Sequence, residues 1–105
     1  IISKNAEIKS GTIVMNNAVI NSGVQIGLNC IINTGAIIEH DSIIGDHCHI
    51  STGVIVNGNV KIGSGSFIGS GTIIKQGINI GEKVVIAAGE KVMNDIPSNK
   101  IYKNL

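Results

Sequence analysis

The chain has 105 residues and a net charge of +1, and 43% of its residues are hydrophobic but only 2% are aromatic. That length allows one domain, the apolar fraction excludes a disordered chain, and a chain without Arg or a basic cluster offers no surface for nucleic acid. The apolar runs are too short to span a membrane. The start of the sequence shows neither the charged region nor the apolar region of a signal peptide, so none is expected, and two Cys residues favour a reduced, cytoplasmic setting.

Ile or Val recurs every six residues from Ile2 to Val92 without an insertion. A helix with about 3.6 residues per turn cannot keep a six-residue register, and one strand of this length would far exceed the usual size. The sequence therefore predicts a solenoid of short strands and turns, anchored at sixteen positions. These are Ile2, Ile8, Val14, Ile20, Ile26, Ile32, Ile38, Ile44, Ile50, Val56, Ile62, Ile68, Ile74, Ile80, Ile86 and Val92.

Two other positions in each six-residue unit are also restricted. The residue two places before each anchor is nearly always small or β-branched, from Ala6 to Val84. It faces inward with the anchor because side chains alternate along a strand. The residue three places before is mostly Gly, Asn or Asp, from Asn5 to Gly89, which are the residues that tolerate the positive φ of a tight turn. An interior built this way is narrow, which accounts for the few aromatic residues.

The six-residue register breaks after Val92. The residues that follow include Asn94, Pro97, Ser98 and Asn99, which predict a turn out of the solenoid. We therefore divide the chain into a repeat domain at 1–93 and a C-terminal turn and tail at 94–105. The tail itself has no predicted element.

All three histidines lie in one short block, with acidic residues beside them. His40 is predicted at an outward corner, where Asp41 or Glu39 could fix its tautomer and make it a general base. From the pattern alone, an ordinary exposed histidine is the favoured interpretation. His47 falls in a turn position, and the spacing from His40 to His47 and His49 does not match a zinc site, so no metal is expected.

Ile-Gly pairs such as Ile26-Gly27 and Ile44-Gly45, together with the run 33–50, resemble the hexapeptide-repeat acetyltransferases that act on nucleotide-linked amino sugars and on sialic acid. The resemblance implies an all-β, single-stranded left-handed parallel β-helix with three hexapeptides per coil, and hence about five coils. It also implies an acetyl-CoA-dependent enzyme of bacterial surface-glycan biosynthesis that acetylates an amino or hydroxyl group of a sugar or nucleotide-sugar, with no metal.

The resemblance assigns roles to individual residues. His40 would be the catalytic base, polarised by Asp41, and His49 would hydrogen-bond acetyl-CoA. Because His40 and His49 are half a coil apart, one subunit would struggle to bring both to one thioester. The family's homotrimers place the site between subunits, so we expect His40 of one chain to face His49 of its neighbour. The other assigned residues are Gly58, Ser70 and Ala88 for CoA and Asn33 for the acceptor.

Several alternatives remain open at this stage. A non-catalytic scaffold or trimerisation domain would not need His40 or His49, whereas an ice-binding helix would need a Thr ladder that the sequence lacks. Cys30 and Cys48 are three hexapeptides apart and are predicted to stack in the interior as reduced thiols.

The nucleotide-binding domain and the Gly-Asn-Pro ending usual in the family are not found here. The missing ending leaves the adenine end of the CoA site open, and the sequence neither names the acceptor sugar nor decides between N- and O-acetylation.

Overall fold

The computed structural model describes residues 1–104, which form short parallel strands and no helix. Each strand is two residues long, because four of every six residues are needed to turn the chain. Ile2, predicted in the first strand, forms only an isolated bridge to Ile20. The strands are Glu7–Ile8 (β1), Ile13–Val14 (β2), Val19–Ile20 (β3), Gln25–Ile26 (β4), Ile31–Ile32 (β5), Ile37–Ile38 (β6), Ile43–Ile44 (β7), His49–Ile50 (β8), Ile55–Val56 (β9), Lys61–Ile62 (β10), Phe67–Ile68 (β11), Ile73–Ile74 (β12), Asn79–Ile80 (β13), Val85–Ile86 (β14), Lys91–Val92 (β15) and Ile101–Tyr102 (β16).

From β1 to β15 every third strand belongs to the same parallel sheet, and β16 pairs with β14. The first sheet contains β1, β4, β7, β10 and β13, the second contains β2, β5, β8, β11, β14 and β16, and the third contains β3, β6, β9, β12 and β15. Ile8 pairs with Ile26 and Ile26 with Ile44, so one coil takes three hexapeptides. The predictions of an all-β fold, three hexapeptides per coil and about five coils are confirmed. The result is a prism with principal extents of 38 × 21 × 20 Å.

The three corners of the prism carry most of the predicted site residues, whereas His49 lies on strand β8. The His40 corner (39–42) joins the third sheet to the first, the Asp46 corner (45–48) joins the first to the second, and the Ser70 corner (69–72) joins the second to the third. Each corner recurs once in every coil, so 33–36 and 51–54 belong to the Ser70 corner. Among the described residues, no helix is long and apolar enough to cross a membrane.

The turn residues have the backbone conformation that their identities predict. Asp41 has φ 62° and His47 has φ 57°, in the left-handed region that most side chains avoid. The prediction of His47 as a turn residue is confirmed. The other turn positions with positive φ inside the repeat are Gly11, Asn17, Gly23, Asn29, Gly35, Gly53, Asn59, Gly65, Gly71, Gly77, Lys83 and Gly89.

The interior is a column of Ile and Val side chains, most of them fully buried. Within β7, Ile44 is 1% exposed whereas its neighbour Ile43 points outward and is 37% exposed. We expect Ile44→Ala to lower the free energy of unfolding by about 2–5 kcal/mol, because it removes buried methyl groups and leaves a cavity. Ile43→Ala is the matched control from the same strand and should cost about 1 kcal/mol or less. If chemical denaturation gave equal losses of unfolding free energy for the two variants, the assignment of inward and outward faces would be contradicted.

The C-terminal residues differ from the expectation of a turn out of the solenoid. Ile96 bridges Ile80, and Ile101 pairs with Val85, so each pair is two positions closer in sequence than the paired residues of earlier coils. The last coil is therefore shorter by the same two positions, which breaks the sequence register without ending the helix. Ile96 and Ile101–Tyr102 continue the ladders of the first and second sheets, and the division of the chain at 93/94 stays a prediction. Leu105 lies outside the described residues.

Candidate active site

His40 and Asp41 form a pair at the His40 corner. The Nδ1 atom of His40 lies 3.1 Å from Oδ2 of Asp41, and their side chains are 53% and 61% exposed. A carboxylate only accepts hydrogen bonds, so Nδ1 is the donor and the Nε2 lone pair remains free in the neutral ring. This is the arrangement of a general base that is oriented by an acid.

Glycines in the adjacent coils leave space for this pair. A Cβ atom on Gly58 would lie 2.7 Å from Cε1 of His40 and would also overlap Nε2, and a Cβ on Gly23 would overlap the Asp41 carboxylate. Gly58 and His40 therefore stack as their separation by one coil predicts. The Gly58 N–H donates no hydrogen bond to any residue in 1–104, so this backbone donor is unpaired in the described chain.

Glu39, the other candidate partner of His40, is bound elsewhere. Its Oε1 accepts a hydrogen bond of 2.6 Å from Nδ2 of Asn21, one coil earlier. The sequence left the choice between Asp41 and Glu39 open, and the structure pairs His40 with Asp41. Asn21 was not identified from the sequence, although it lies a full coil before Glu39 and the coil register points to it.

His49 lies on the outward face of the second sheet, half-buried between Ile31 and Phe67. The rings of His49 and Phe67 meet edge to face, with centroids 5.1 Å apart and an interplanar angle of 82°. The His49 Nε2 lies 3.3 Å from Nδ2 of Asn33 in the preceding coil. The structure thus brings Asn33 and His49 together. Thr34, whose N–H donates to the Asn33 Oδ1 at 2.7 Å, was not identified from the sequence.

Ser70 and Ala88 are exposed and lie one coil apart at the Ser70 corner. Neither N–H donates a hydrogen bond within the described chain. The predicted residues therefore form two groups in one subunit. His40, Asp41 and Gly58 share one corner, whereas Asn33, His49, Ser70 and Ala88 lie on or beside the second sheet, so a single chain does not bring His40 to His49.

The two cysteines belong to the interior. Cys30 and Cys48 are free thiols, and their Sγ atoms lie 3.0 and 3.2 Å from the carbonyl oxygens of Gly45 and Gly63. The hydrogen bond with Cys30 and burial raise the pKa of the Cys48 thiol, so this thiol is not poised as a nucleophile.

Residues 1–104 contain no group of three His, Cys, Asp or Glu side chains that could hold a metal ion. One groove lies apart from the predicted site residues. A groove of about 240 Å³ on the first sheet is lined by residues that include Lys9, Gln25 and Asp46, away from both histidine groups.

Comparison with known proteins identifies the family. The profile described as bacterial transferase hexapeptide (six repeats) matches residues 41–76. The acetyltransferase domain of PglB from Neisseria gonorrhoeae FA1090, in complex with acetyl coenzyme A, has a TM-score of 0.92 and 36% identity, covering 92% of this chain and 47% of that chain. No curated protein sequence gives a match.

Two other solved structures are similar. PerB from Caulobacter crescentus, in complex with CoA and GDP-perosamine, has a TM-score of 0.65 and 29% identity, covering 91% of this chain and 49% of that chain. WeeI from Acinetobacter baumannii AYE has a TM-score of 0.78 and 25% identity, covering 93% and 51% respectively. This chain thus spans about half the length of these proteins. The predicted family is confirmed: the chain belongs to the hexapeptide-repeat acetyltransferases and forms their left-handed parallel β-helix.

Proposed function

We propose that this β-helix is the catalytic domain of an acetyl-CoA-dependent acetyltransferase of bacterial surface-glycan biosynthesis. Its substrate would be an amino or hydroxyl group of a sugar or nucleotide-sugar. The observation that carries the proposal is the exposed His40–Asp41 pair, whose free Nε2 lies against Gly58, a residue whose own N–H donates no hydrogen bond within residues 1–104. The 36% sequence identity with the PglB domain, whose structure holds acetyl coenzyme A, supports the same acetyl donor for this chain.

The residues of this chain suit the acetyl donor. The pantetheine arm of CoA carries amide carbonyls, which accept hydrogen bonds from backbone N–H groups. Ser70 and Ala88 present such groups at an exposed corner with small side chains. Acetyl-CoA supplies the acetyl group as a thioester. Ser70, Ala88 and Gly58 would hold this donor.

In the proposed mechanism, His40 Nε2 accepts a proton from the acceptor amine or hydroxyl as that group attacks the thioester carbonyl. The new C–N or C–O bond forms as the C–S bond breaks, and the departing thiolate takes its proton from the His40 imidazolium. Asp41 stabilises that imidazolium through Nδ1. The Gly58 N–H and His49 would donate to the carbonyl oxygen as negative charge develops there.

The surface of the prism supports a homotrimer. The outward side chains of the first sheet are mostly polar, whereas those of the second and third sheets are mostly apolar and flank the Ser70 corner. In the second sheet they include Ile13 at 55%, Phe67 at 40% and Val85 at 42% exposure. If the second sheet of one chain packed on the third sheet of the next, a threefold ring would close and bury both apolar faces. His40 would then lie at the rim of the contact, facing the neighbour's second sheet and its His49.

Acetyl-CoA binding is the first test. We expect calorimetry with the protein to detect acetyl-CoA, and thiol release to follow on addition of a nucleotide-linked amino sugar such as GDP-perosamine. This sugar comes first because PerB binds it. A protein that bound no acetyl-CoA would instead be the non-catalytic scaffold.

A reduced, cytoplasmic location stays a prediction, supported by the free thiols of Cys30 and Cys48.

Gly58→Ala tests the packing of the catalytic pair. The added methyl would overlap the His40 imidazole and force the exposed ring to rotate away, so we expect kcat to fall at least about tenfold. The control is a double-mutant cycle: in a His40→Ala background, Gly58→Ala should cause little further loss. Additive losses would show that Gly58 acts independently of His40.

A further inference from the structure

The contact between Asn33 and His49 has a defined direction. The Oδ1 of Asn33 accepts a hydrogen bond from the Thr34 N–H at 2.7 Å and is 3.3 Å from Oγ1 of Thr34. Turning the amide over would place its NH₂ group against the Thr34 N–H, where two donors would meet, so the observed orientation is fixed. The Nδ2 group of Asn33 therefore faces His49, 3.3 Å from Nε2.

This direction determines where the proton of His49 lies. An amide NH₂ group donates and does not accept, so Nε2 is the acceptor and the neutral ring carries its proton on Nδ1. The ring meets Phe67 edge to face on one side, and Ile31 is paired with His49 on the neighbouring strand of the other side. Within residues 1–104, Nδ1 has no hydrogen-bond partner, so its N–H is available to a molecule bound at the surface.

We propose that Asn33 is a positioning residue that fixes His49 in the neutral Nδ1–H tautomer, so that His49 acts as a hydrogen-bond donor. The role of that donor, toward the carbonyl oxygen of the thioester, rests on the proposed function; the tautomer does not. Asn33 thus acts through His49, which differs from the acceptor contact that the family resemblance implies.

Both neutral rings then carry their proton on Nδ1, but the group left free differs and so does the role of each histidine. Asp41 accepts from Nδ1 of His40 and leaves Nε2 free to take a proton. Asn33 donates to Nε2 of His49 and leaves Nδ1 free to give a hydrogen bond. A carboxylate beside one ring and an amide beside the other thereby separate the base from the donor.

Nitrogen NMR of the labelled protein tests the tautomer directly, with the histidines neutral. We expect Nδ1–H for His49 in the wild type. Asn33→Leu removes the donor and should give a mixture of tautomers, and Asn33→Asp supplies an acceptor and should give Nε2–H. Thr52→Val is the matched control, because Thr52 occupies the place of Thr34 one coil later and its hydroxyl has no partner in the described chain. Nε2–H in the wild type, or no change in Asn33→Leu, would overturn the proposal.

Kinetics test the positioning role. We expect Asn33→Leu to lower kcat about tenfold or more with a smaller change in KM for acetyl-CoA, and Thr52→Val to stay within about twofold. An Asn33→Leu enzyme with unchanged kcat would overturn the role even if the tautomer is as expected. If the wild type transfers no acetyl group, the proposed function and the donor role fail together, while the NMR result still decides the tautomer.

Discussion

Replacement of His40 with Ala is expected to abolish most acetyl transfer, with kcat reduced about 10²–10⁴-fold, because it removes the imidazole that takes the acceptor proton. The fold should be unaffected, since the His40 side chain is 53% exposed and lies at a corner beside Asp41 and Gly58. Acetyl-CoA affinity should change little. Steady-state release of CoA thiol gives kcat, and calorimetry gives the affinity.

His47→Asn is the matched control for this experiment. His47 is an exposed histidine in the same block, and Asn occupies the same turn position one coil earlier, at Asn29, with φ 55°. The substitution therefore keeps the backbone and should leave kcat unchanged. A His40→Ala enzyme that retained wild-type activity, or a His47→Asn enzyme that lost as much, would exclude His40 as the base.

Mixing two inactive variants is expected to restore activity if the site lies between subunits. In trimers formed by co-expressing His40→Ala and His49→Ala chains in equal amounts, each site takes His40 from one chain and His49 from its neighbour. Both are intact with a probability of about one quarter, so activity should recover to about one quarter of the wild-type value. Each variant alone should remain far below that level.

The control for mixing uses two changes on the same side of the site. Co-expression of His40→Ala with Asp41→Asn should restore little, because His40 and Asp41 lie 3.1 Å apart in one chain and no chain in this mixture carries an intact pair. Sedimentation of the same samples measures the oligomeric state. Activity that stays at the level of the single variants in the first mixture would rule out a site shared between His40 and His49 of different chains.

Most of the fold could be predicted because each coil repeats the same packing problem. The anchor Ile44 is buried and the turn residue Asp41 has positive φ, as their positions in the hexapeptide require. The tail could not be predicted in the same way. Its pairing of Ile101 with Val85 needs a register shift of two positions, and periodicity holds no information about a shift that occurs once.

The candidate site was predictable only where it follows the coil register. Stacking of equivalent positions in adjacent coils placed Gly58 beside His40 and Phe67 beside His49, and the structure shows both contacts. The contact between Asn33 and His49 runs diagonally from a corner to a strand, so it depends on side-chain direction rather than on register. The choice of Asp41 over Glu39 likewise depends on Asn21, which occupies the Glu39 carboxylate.

The constant length of the coil also limits how a protein of this shape can change its length. Adding or deleting a whole coil leaves every later side chain on its own face, with polar residues on the first sheet and apolar residues on the other two. Adding a single hexapeptide would rotate all later residues by one face and bring groups such as Lys61 onto the apolar surfaces. A change in length by complete coils is therefore the one that leaves the polar and apolar faces of the later coils unchanged. The contraction by two positions before Ile96 still brings Ile96 beside Ile80 and Ile101 beside Val85, so both residues stay on their own sheets.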